Sequence, residues 1–426
     1  MQAYIKTYGC TLNRADSDII RSVMESGGVG MADSESSADV IVVNSCTVKK
    51  PTEQRILDLL KGFEKENRKV IVTGCMAGAN PDLLEKYAPS ASIVSTGRIH
   101  RIADVAREVE AGARVVETGY GDGSRLGLLT PGGGVVARVP VSDGCLSSCS
   151  FCETKVARGP LSSFPEELIV KAVAASVARG AKEVQLTSQD IGAYGADRKT
   201  NIAELMSSLA GVEGDFMVRV GMLNPEHLHR YMDEFIEELR GSRFYKFVHL
   251  PVQSGSDAVL RSMGRHYTAE GYLEQVDEIR RKVPGVSIET DVIVGYPAET
   301  EADFDMTVDM ITELEPDVTN VSRFWRRPHA SASKMPGLGD GVIASRSGRL
   351  SRLVRKMQRE RNCSLIGTAL GVLITEAGGT SANGRSNSYK QVVIKDSSVE
   401  LGSYIKAVVK DATANALYAE IQDGCV

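Results

Sequence analysis

Three cysteines fall within the ten residues DGCLSSCSFC: Cys145, Cys149 and Cys152, with three residues and then two between them. Thiolates this close can hold one metal centre from a single loop, and their softness selects zinc or iron–sulfur. Such centres ordinarily take four protein ligands. Either a fourth ligand reaches in from elsewhere, or one metal position stays open. The nearest histidine in sequence is His100, well upstream. A second set of cysteines is dispersed: Cys10 in YGC, Cys46 in NSC and Cys75 in TGC. Cys363 and Cys425 have no comparable setting.

The elements around the dispersed set give it meaning. AYIKTYG (3–9), ADVIVVNSC (38–46), RKVIVTGC (68–75) and ASIVSTG (91–97) read as strands. A helix-compatible stretch runs from Asn13 to Glu25, and TEQRILDLLKGFEKENR (52–68) has helical apolar spacing. Continuous β-branched runs mark strands buried on both faces of a parallel sheet. Parallel strands end on one edge, which is where open α/β folds bind ligands. Cys10, Cys46 and Cys75 each follow such a strand, so they converge on that edge. One free cysteine is ordinarily a small buried hydrophobe. Three at the same topological position, each after glycine or serine, favour a metal site.

After a glycine-rich connector the alternation resumes. ARVPVSDG, EVQLTSQD, FMVRVGM, KFVHLPVQSGS, SIETDVIVG and DVTNVSRF are six strands separated by helical stretches, as in a partial or full (βα) barrel. Chemistry in such barrels sits at the carboxyl ends of the strands, and Cys145 follows the first one. Residues 321–361 carry 11 Lys/Arg against two acids, and IASRSGRLSRLVRKMQRERN reads as a basic amphipathic helix. GVLITEAG, SYKQVVIKD, SYIKAVVKDA and ALYAEI then form a small all-β barrel pattern. The chain is thus α/β: an N-terminal open parallel α/β domain (1–117), a linker (118–134), a central (βα) partial barrel with a basic helical extension (135–362) and a small all-β barrel (363–426).

Composition sets the outer limits. Eight cysteines in 426 residues are too few for a disulfide scaffold. A net charge of −5 excludes a polycation, so any nucleic-acid surface is local. No apolar run approaches the roughly 18 residues that span a bilayer, and MQAYIKTYGC lacks an apolar signal core. The expectation is a cytoplasmic protein with no membrane partner.

CxxxCxxC at the top of a first barrel strand, with Phe151 before the last cysteine, resembles the radical S-adenosylmethionine (SAM) superfamily. YGCTLNRADSD, NSCTVKKPTEQRIL and TGCMA, together with SANGRSNSYKQVVI, extend the resemblance over the full chain to the methylthiotransferase family. The last domain resembles TRAM, an RNA-binding β-barrel. GCLSSCSFCETKVARG, LTSQDIGAYG, RVGMLNPEHL and HLPVQSGSDAVLRSMGR are most similar to the archaeal and eukaryotic branch. That branch methylthiolates C2 of N6-threonylcarbamoyladenosine at position 37 of tRNA, beside the anticodon.

The resemblance implies two 4Fe–4S clusters. One, on Cys145, Cys149 and Cys152, leaves an iron for SAM and yields a 5′-deoxyadenosyl radical. The other, on Cys10, Cys46 and Cys75, leaves an iron for the sulfur to be transferred, and those three are read as catalytic. A radical is required because acid–base chemistry does not easily break an aromatic C2–H bond. Phe151, Ser188, Gln189, Arg219, Gln253, Ser254 and Gly295 are the expected SAM contacts, although Ser and Gln at strand ends also cap helices. Arg326, Arg327, Arg385 and Lys390 are the expected tRNA contacts, through phosphates. A flavodoxin- or ferredoxin-type electron donor, a sulfur donor and a monomeric state complete the expectation. Alternative readings are methylthiolation of a ribosomal-protein aspartate or of isopentenyladenosine in tRNA. More distant ones are a two-cluster electron carrier and a non-catalytic iron–sulfur RNA-binding protein.

Overall fold

The computed structural model describes residues 1–121, 125–395 and 398–422; part of the linker and Cys425 lie outside the described residues. The N-terminal sheet is parallel throughout. It runs in the order Gly30–Met31, Gln2–Thr7, Val40–Ser45, Val70–Gly74, Ser92–Val94, Val116–Glu117. Strand side chains alternate between faces. Val40 and Val42 therefore join Ile19, Ile20 and Ile102 on one side, while Ile41 and Val43 join Ile56, Leu60 and Phe63 on the other. Helices Thr11–Ser26, Ile102–Glu110 and Lys50–Lys65 supply those facing residues. The two edge strands not read from sequence have two residues each, too few to show any periodicity.

The six central strands are present and parallel, arranged as two three-stranded sheets. Among the described residues, only isolated bridges, Val218 with Phe244 and Met222 with His249, span the gap between the sheets. The barrel is therefore partial. Its wall packs on helices through Val139, Val184, Leu186, Val218, Val248 and Ile288. The basic segment forms the helix Asp340–Cys363.

The C-terminal barrel is closed, in the order Ala369–Gly378, Ser381–Ser386, Gln391–Ile394, Leu417–Ile421, Tyr404–Ala412. Its fifth strand, SANGRS, is invisible to propensity because its residues are small and polar. It nonetheless buries Ala382, Gly384 and Ser386 in alternation. The barrel docks beneath the amino-terminal ends of the central strands. Tyr389 lies between Tyr245 (ring centroids 4.8 Å apart) and Phe247 (5.1 Å), and its hydroxyl donates to Glu183 at 3.0 Å. Lys390 donates to the buried Asp317 carboxylate at 2.7 Å, and Arg361 reaches the same carboxylate at 3.3 Å. Burial pushes the Asp317 carboxyl up; Lys390 and Arg361 outweigh it and hold the group below the usual carboxylate range.

A depressed carboxyl contributes stability that is full above its unfolded pKa and is lost as pH falls through the folded value. The Asp317→Asn variant is therefore expected to melt below the parent by a constant margin between pH 5 and 8. The margin should shrink below about pH 4, near the unfolded aspartate pKa. Melting curves across that range check it.

Candidate metal centres at the strand ends

Cys10 closes the turn after the first strand, Cys46 follows Val40–Ser45, and Cys75 opens the short helix Cys75–Ala79. All three lie at the carboxyl edge of the sheet. Gly9 has a φ of 102°, and a Cβ there would stand 2.9 Å from Cys46 Sγ, so a side chain cannot be added between the first two cysteine loops. Asn13 ties all three loops together. Its amide nitrogen donates to the carbonyls of Tyr8 and Ser45, both at 2.8 Å, and the Cys75 thiol donates to its amide oxygen at 3.6 Å.

The second set lies on one loop anchored to the barrel. Ser150 N–H donates to Met263 O at 3.0 Å, and its hydroxyl meets Ser262 O and the Tyr296 hydroxyl, each at 2.9 Å. Asn224 donates to the Ser147 hydroxyl at 3.1 Å, while its own N–H is held by Asp190 at 3.0 Å. Asp190 also bonds His227 Nδ1 at 2.7 Å. Below the thiols the barrel lumen is polar. Asn320 donates to Glu289 and Asp291 at 2.8 and 2.7 Å, and His249 Nε2 lies 3.2 Å from Asp291. Burial pushes the His249 imidazole down, but those carboxylates hold it above its ordinary value.

The two sets are joined through adjoining helices. The helix Cys75–Ala79 lies on the helix Thr154–Arg158 so closely that a Cβ on Gly78 would sit 2.2 Å from Ala157 O. Arg158, with a fully buried side chain, crosses this seam. It donates to Asp16 at 2.5 Å, Asn13 at 2.7 Å, Asp143 at 3.3 Å and the sulfur of Cys75 at 3.4 Å. Arg125 from the linker pairs with the same Asp16 and Asp143, the latter at 2.6 Å. Burial alone would raise Asp16 and lower both guanidinium groups; the pairing reverses each shift. A second lock lies nearby, where Arg327 donates to Glu53 at 2.6 Å and to Val48 O at 2.7 Å, and Thr47 donates to Glu153.

The donor set fits polynuclear iron–sulfur sites. Burial pushes the Cys75 and Cys145 thiols up to about 12, and Cys46 and Cys149 also rise. Ligation therefore has to displace thiol protons, and positive charge has to stand nearby. Each set has one buried guanidinium for this: Arg158 at Cys75, and Arg265 beside Cys149 and Cys152, its Nε without a hydrogen-bond partner among the described residues. Among the described residues, the one group of three ligand atoms within 4.8 Å of one another is His249, Glu289 and Asp291. Neither cysteine set is that tight. A single zinc, with bonds of about 2.3 Å to each sulfur, needs thiolates closer than about 4 Å; a cluster needs them wider.

Residues 2–96 match the model of "Uncharacterized protein family UPF0004", and residues 139–311 match the Radical SAM superfamily. A probable threonylcarbamoyladenosine tRNA methylthiotransferase of Pyrococcus abyssi is 37% identical, covering 99% of both chains. The threonylcarbamoyladenosine tRNA methylthiotransferase of Homo sapiens is 33% identical over 96% of this chain and 72% of its own. The chain belongs to the threonylcarbamoyladenosine tRNA methylthiotransferase family. Among solved structures, the radical S-adenosylmethionine methyltransferase TsrM from Kitasatospora setae shares the fold, with a TM-score of 0.58 at 15% identity over 89% of this chain and 79% of that one. No helix among the described residues is long and apolar enough to cross a membrane.

Of the residues expected around SAM, Phe151 lies half-buried beneath Arg265, 5.7 Å from its guanidinium. Gln189, with its amide turned to satisfy its neighbours, donates to Gly144 O at 3.3 Å and accepts from Arg158 at 3.0 Å. It therefore belongs to the seam between the two sets. The Ser188 hydroxyl accepts from Asp190 N–H at 3.1 Å. Gly295 N–H donates to Glu299 at 2.9 Å. Gln253 takes a left-handed φ of 73° while its backbone bridges Asp291 and Ile293. Two expectations need correction. Ser254 is wholly buried and hydrogen-bonds Thr307 and Ser256. Arg219 stacks on Phe247 and Tyr389, at the mouth of the barrel opposite the cysteines.

The expected RNA contacts also divide. Arg327 is committed to the Glu53 lock because its charge is buried and needs an internal partner, and the half-buried Lys390 is held by the buried Asp317 carboxylate. Arg326 is exposed, but its guanidinium caps the carbonyls of Ser333 and Met335. Arg385 retains a guanidinium with no ion pair or hydrogen bond among the described residues. It stacks on Tyr389 at 4.8 Å. Sequence reasoning passed over Asn13, Asp16, Arg125, Asp143, Arg158 and Arg265. The available signal was polar residues at helix positions shared with Leu12, Ala15 and Ile19, since Asn13 and Asp16 lie on that buried face.

Removing one partner of a buried ionic network costs about 3–5 kcal/mol. The Arg158→Gln variant is expected to lose that much in urea unfolding, and Arg158→Lys less. Arg240→Gln, which breaks only the exposed pair with Glu237, should lose under about 1 kcal/mol.

Proposed function

We propose that this protein replaces the C2 hydrogen of N6-threonylcarbamoyladenosine, beside the anticodon of tRNA, with a methylthio group. The observation that carries the reading is the seam. Two cysteine sets, from two different folds, meet across helices Cys75–Ala79 and Thr154–Arg158, which lets sulfur delivery and hydrogen abstraction act on one nucleotide. Bound 4Fe–4S clusters with one open iron each would supply SAM cleavage at Cys145, Cys149 and Cys152, and a sulfur acceptor at Cys10, Cys46 and Cys75.

The surrounding chain positions and insulates these thiols. Asn13 fixes the spacing of the dispersed set; Ser150 and Asn224 fix the loop set. Arg158 and Arg265 balance thiolate charge, and Arg158 also donates to the sulfur of Cys75, which favours a reducible centre. The buried Arg158–Asp16–Asp143 network closes one side of the site to water. Gln253, Gly295 and Ser188 stand at strand ends where SAM would lie. An electron donor of flavodoxin or ferredoxin type and a separate source of sulfur are part of the proposal.

Nucleoside analysis of tRNA from cells lacking and then regaining the gene tests the substrate. The 2-methylthio derivative of threonylcarbamoyladenosine should vanish and return. An unchanged nucleoside profile, or a change confined to isopentenyladenosine or to a ribosomal-protein aspartate, would overturn the assignment.

A further inference from the structure

A cavity of about 300 Å³ opens where the amino-terminal mouth of the partial barrel, the Asp340–Cys363 helix and the C-terminal barrel meet. Its walls include Phe247, Gln358, Arg385, Tyr389 and Asn415. We infer that this cavity receives an unstacked nucleotide of the tRNA, distinct from the one that is modified. This rests on the reading that tRNA is the substrate.

Three observations carry it. Gln358 is 8% exposed and lines the cavity, yet its amide has no hydrogen-bond partner among the described residues. Its amide is left unpaired where it meets the cavity, and a primary amide offers both a donor and an acceptor, as a base edge requires. Arg385 lines the same cavity with its guanidinium laid on Tyr389 at 4.8 Å, and makes no ion pair among the described residues. A guanidinium plane is a platform on which RNA-binding proteins stack extruded bases. Finally, Arg352, Arg355 and Arg359 recur at spacings of three and four on the long helix, all exposed and without ion pairs among the described residues. They form one stripe beside the row that carries Gln358, where the phosphates flanking an inserted base would run.

The site is separate from the chemistry. Ser287 and Glu289 line the cavity, whereas Gly295, after the other end of the same strand, faces the cysteine side. Eight strand residues at about 3.3 Å each separate the two mouths by roughly 20 Å or more. One nucleotide cannot occupy both.

The test uses the full chain, reconstituted anaerobically, with a full-length tRNA transcript and with AMP as a separate probe. Gln358→Met and Arg385→Gln are each expected to weaken tRNA binding about tenfold by fluorescence anisotropy. Release of 5′-deoxyadenosine in the absence of RNA should stay unchanged. Gln358→Glu, nearly isosteric, should weaken tRNA at least as much, which guards against a packing defect in the methionine variant. Arg359→Gln should lower the salt dependence of binding by about one counterion. Unchanged tRNA affinity in all three cavity variants would overturn the inference. AMP binding that is lost in the variants while tRNA binding persists would overturn it too, assigning the cavity to a free nucleotide. Loss of tRNA binding in a protein that leaves threonylcarbamoyladenosine untouched would support the cavity and contradict the substrate assignment, so the two failures are distinguishable.

Discussion

Arg158 touches both halves of the site and a cysteine sulfur as well. Its side chain has no exposed surface, and it bonds Asp16 and Asn13 from the first helix, Asp143 ahead of the loop cysteines, and the sulfur of Cys75. A guanidinium can do this where an ammonium cannot, because its five donors lie in a fixed plane and serve several acceptors at set angles. Burying a charge this deeply is unfavourable unless every donor is used. The network therefore admits one relative placement of the N-terminal sheet and the partial barrel. Everything about the thiols follows from that placement, since Cys75 and Cys145 sit on segments that begin within a few residues of the network.

The electrostatics have a matching logic. Deeply placed thiols resist ionising, and burial is the largest cause of the shift at Cys46, Cys75, Cys145 and Cys149. A ligand that brings its own positive charge reverses that preference. Arg158 and Arg265 then stabilise what remains of the negative charge from one side each. The sides of the thiols away from these cations are where small molecules and the substrate base would be handled. The lumen below supplies a hydrogen-bonded His249, Glu289, Asp291 and Asn320 group rather than an apolar plug.

Much of this was legible in the sequence because the strongest signals are local. The spacing of Cys145, Cys149 and Cys152 lies within one loop, and the β-branched runs before Cys46 and Cys75 declare buried parallel strands that must end on one edge. The two-residue edge strands and SANGRS were not legible, since neither length nor propensity marks them. Arg327 and Lys390 read from sequence as tRNA contacts, because a sequence does not show which distant carboxylate a cation meets. Glu53 and Asp317 lie 274 and 73 residues away from them. Arg158 stood in plain view at the end of the cysteine motif. Its role became apparent only with Asp16, 142 residues earlier, folded against it.

The central claim is a division of labour between two cysteine sets held at one seam. The most direct measurement is single-turnover product analysis of anaerobically reconstituted Cys46→Ala protein given dithionite, SAM and tRNA. The account predicts that 5′-deoxyadenosine still forms while no methylthiolated nucleoside appears, with the reciprocal Cys149→Ala variant forming neither. Loss of 5′-deoxyadenosine in the Cys46→Ala protein, with its Cys145, Cys149 and Cys152 cluster still present by iron content and spectrum, would contradict it.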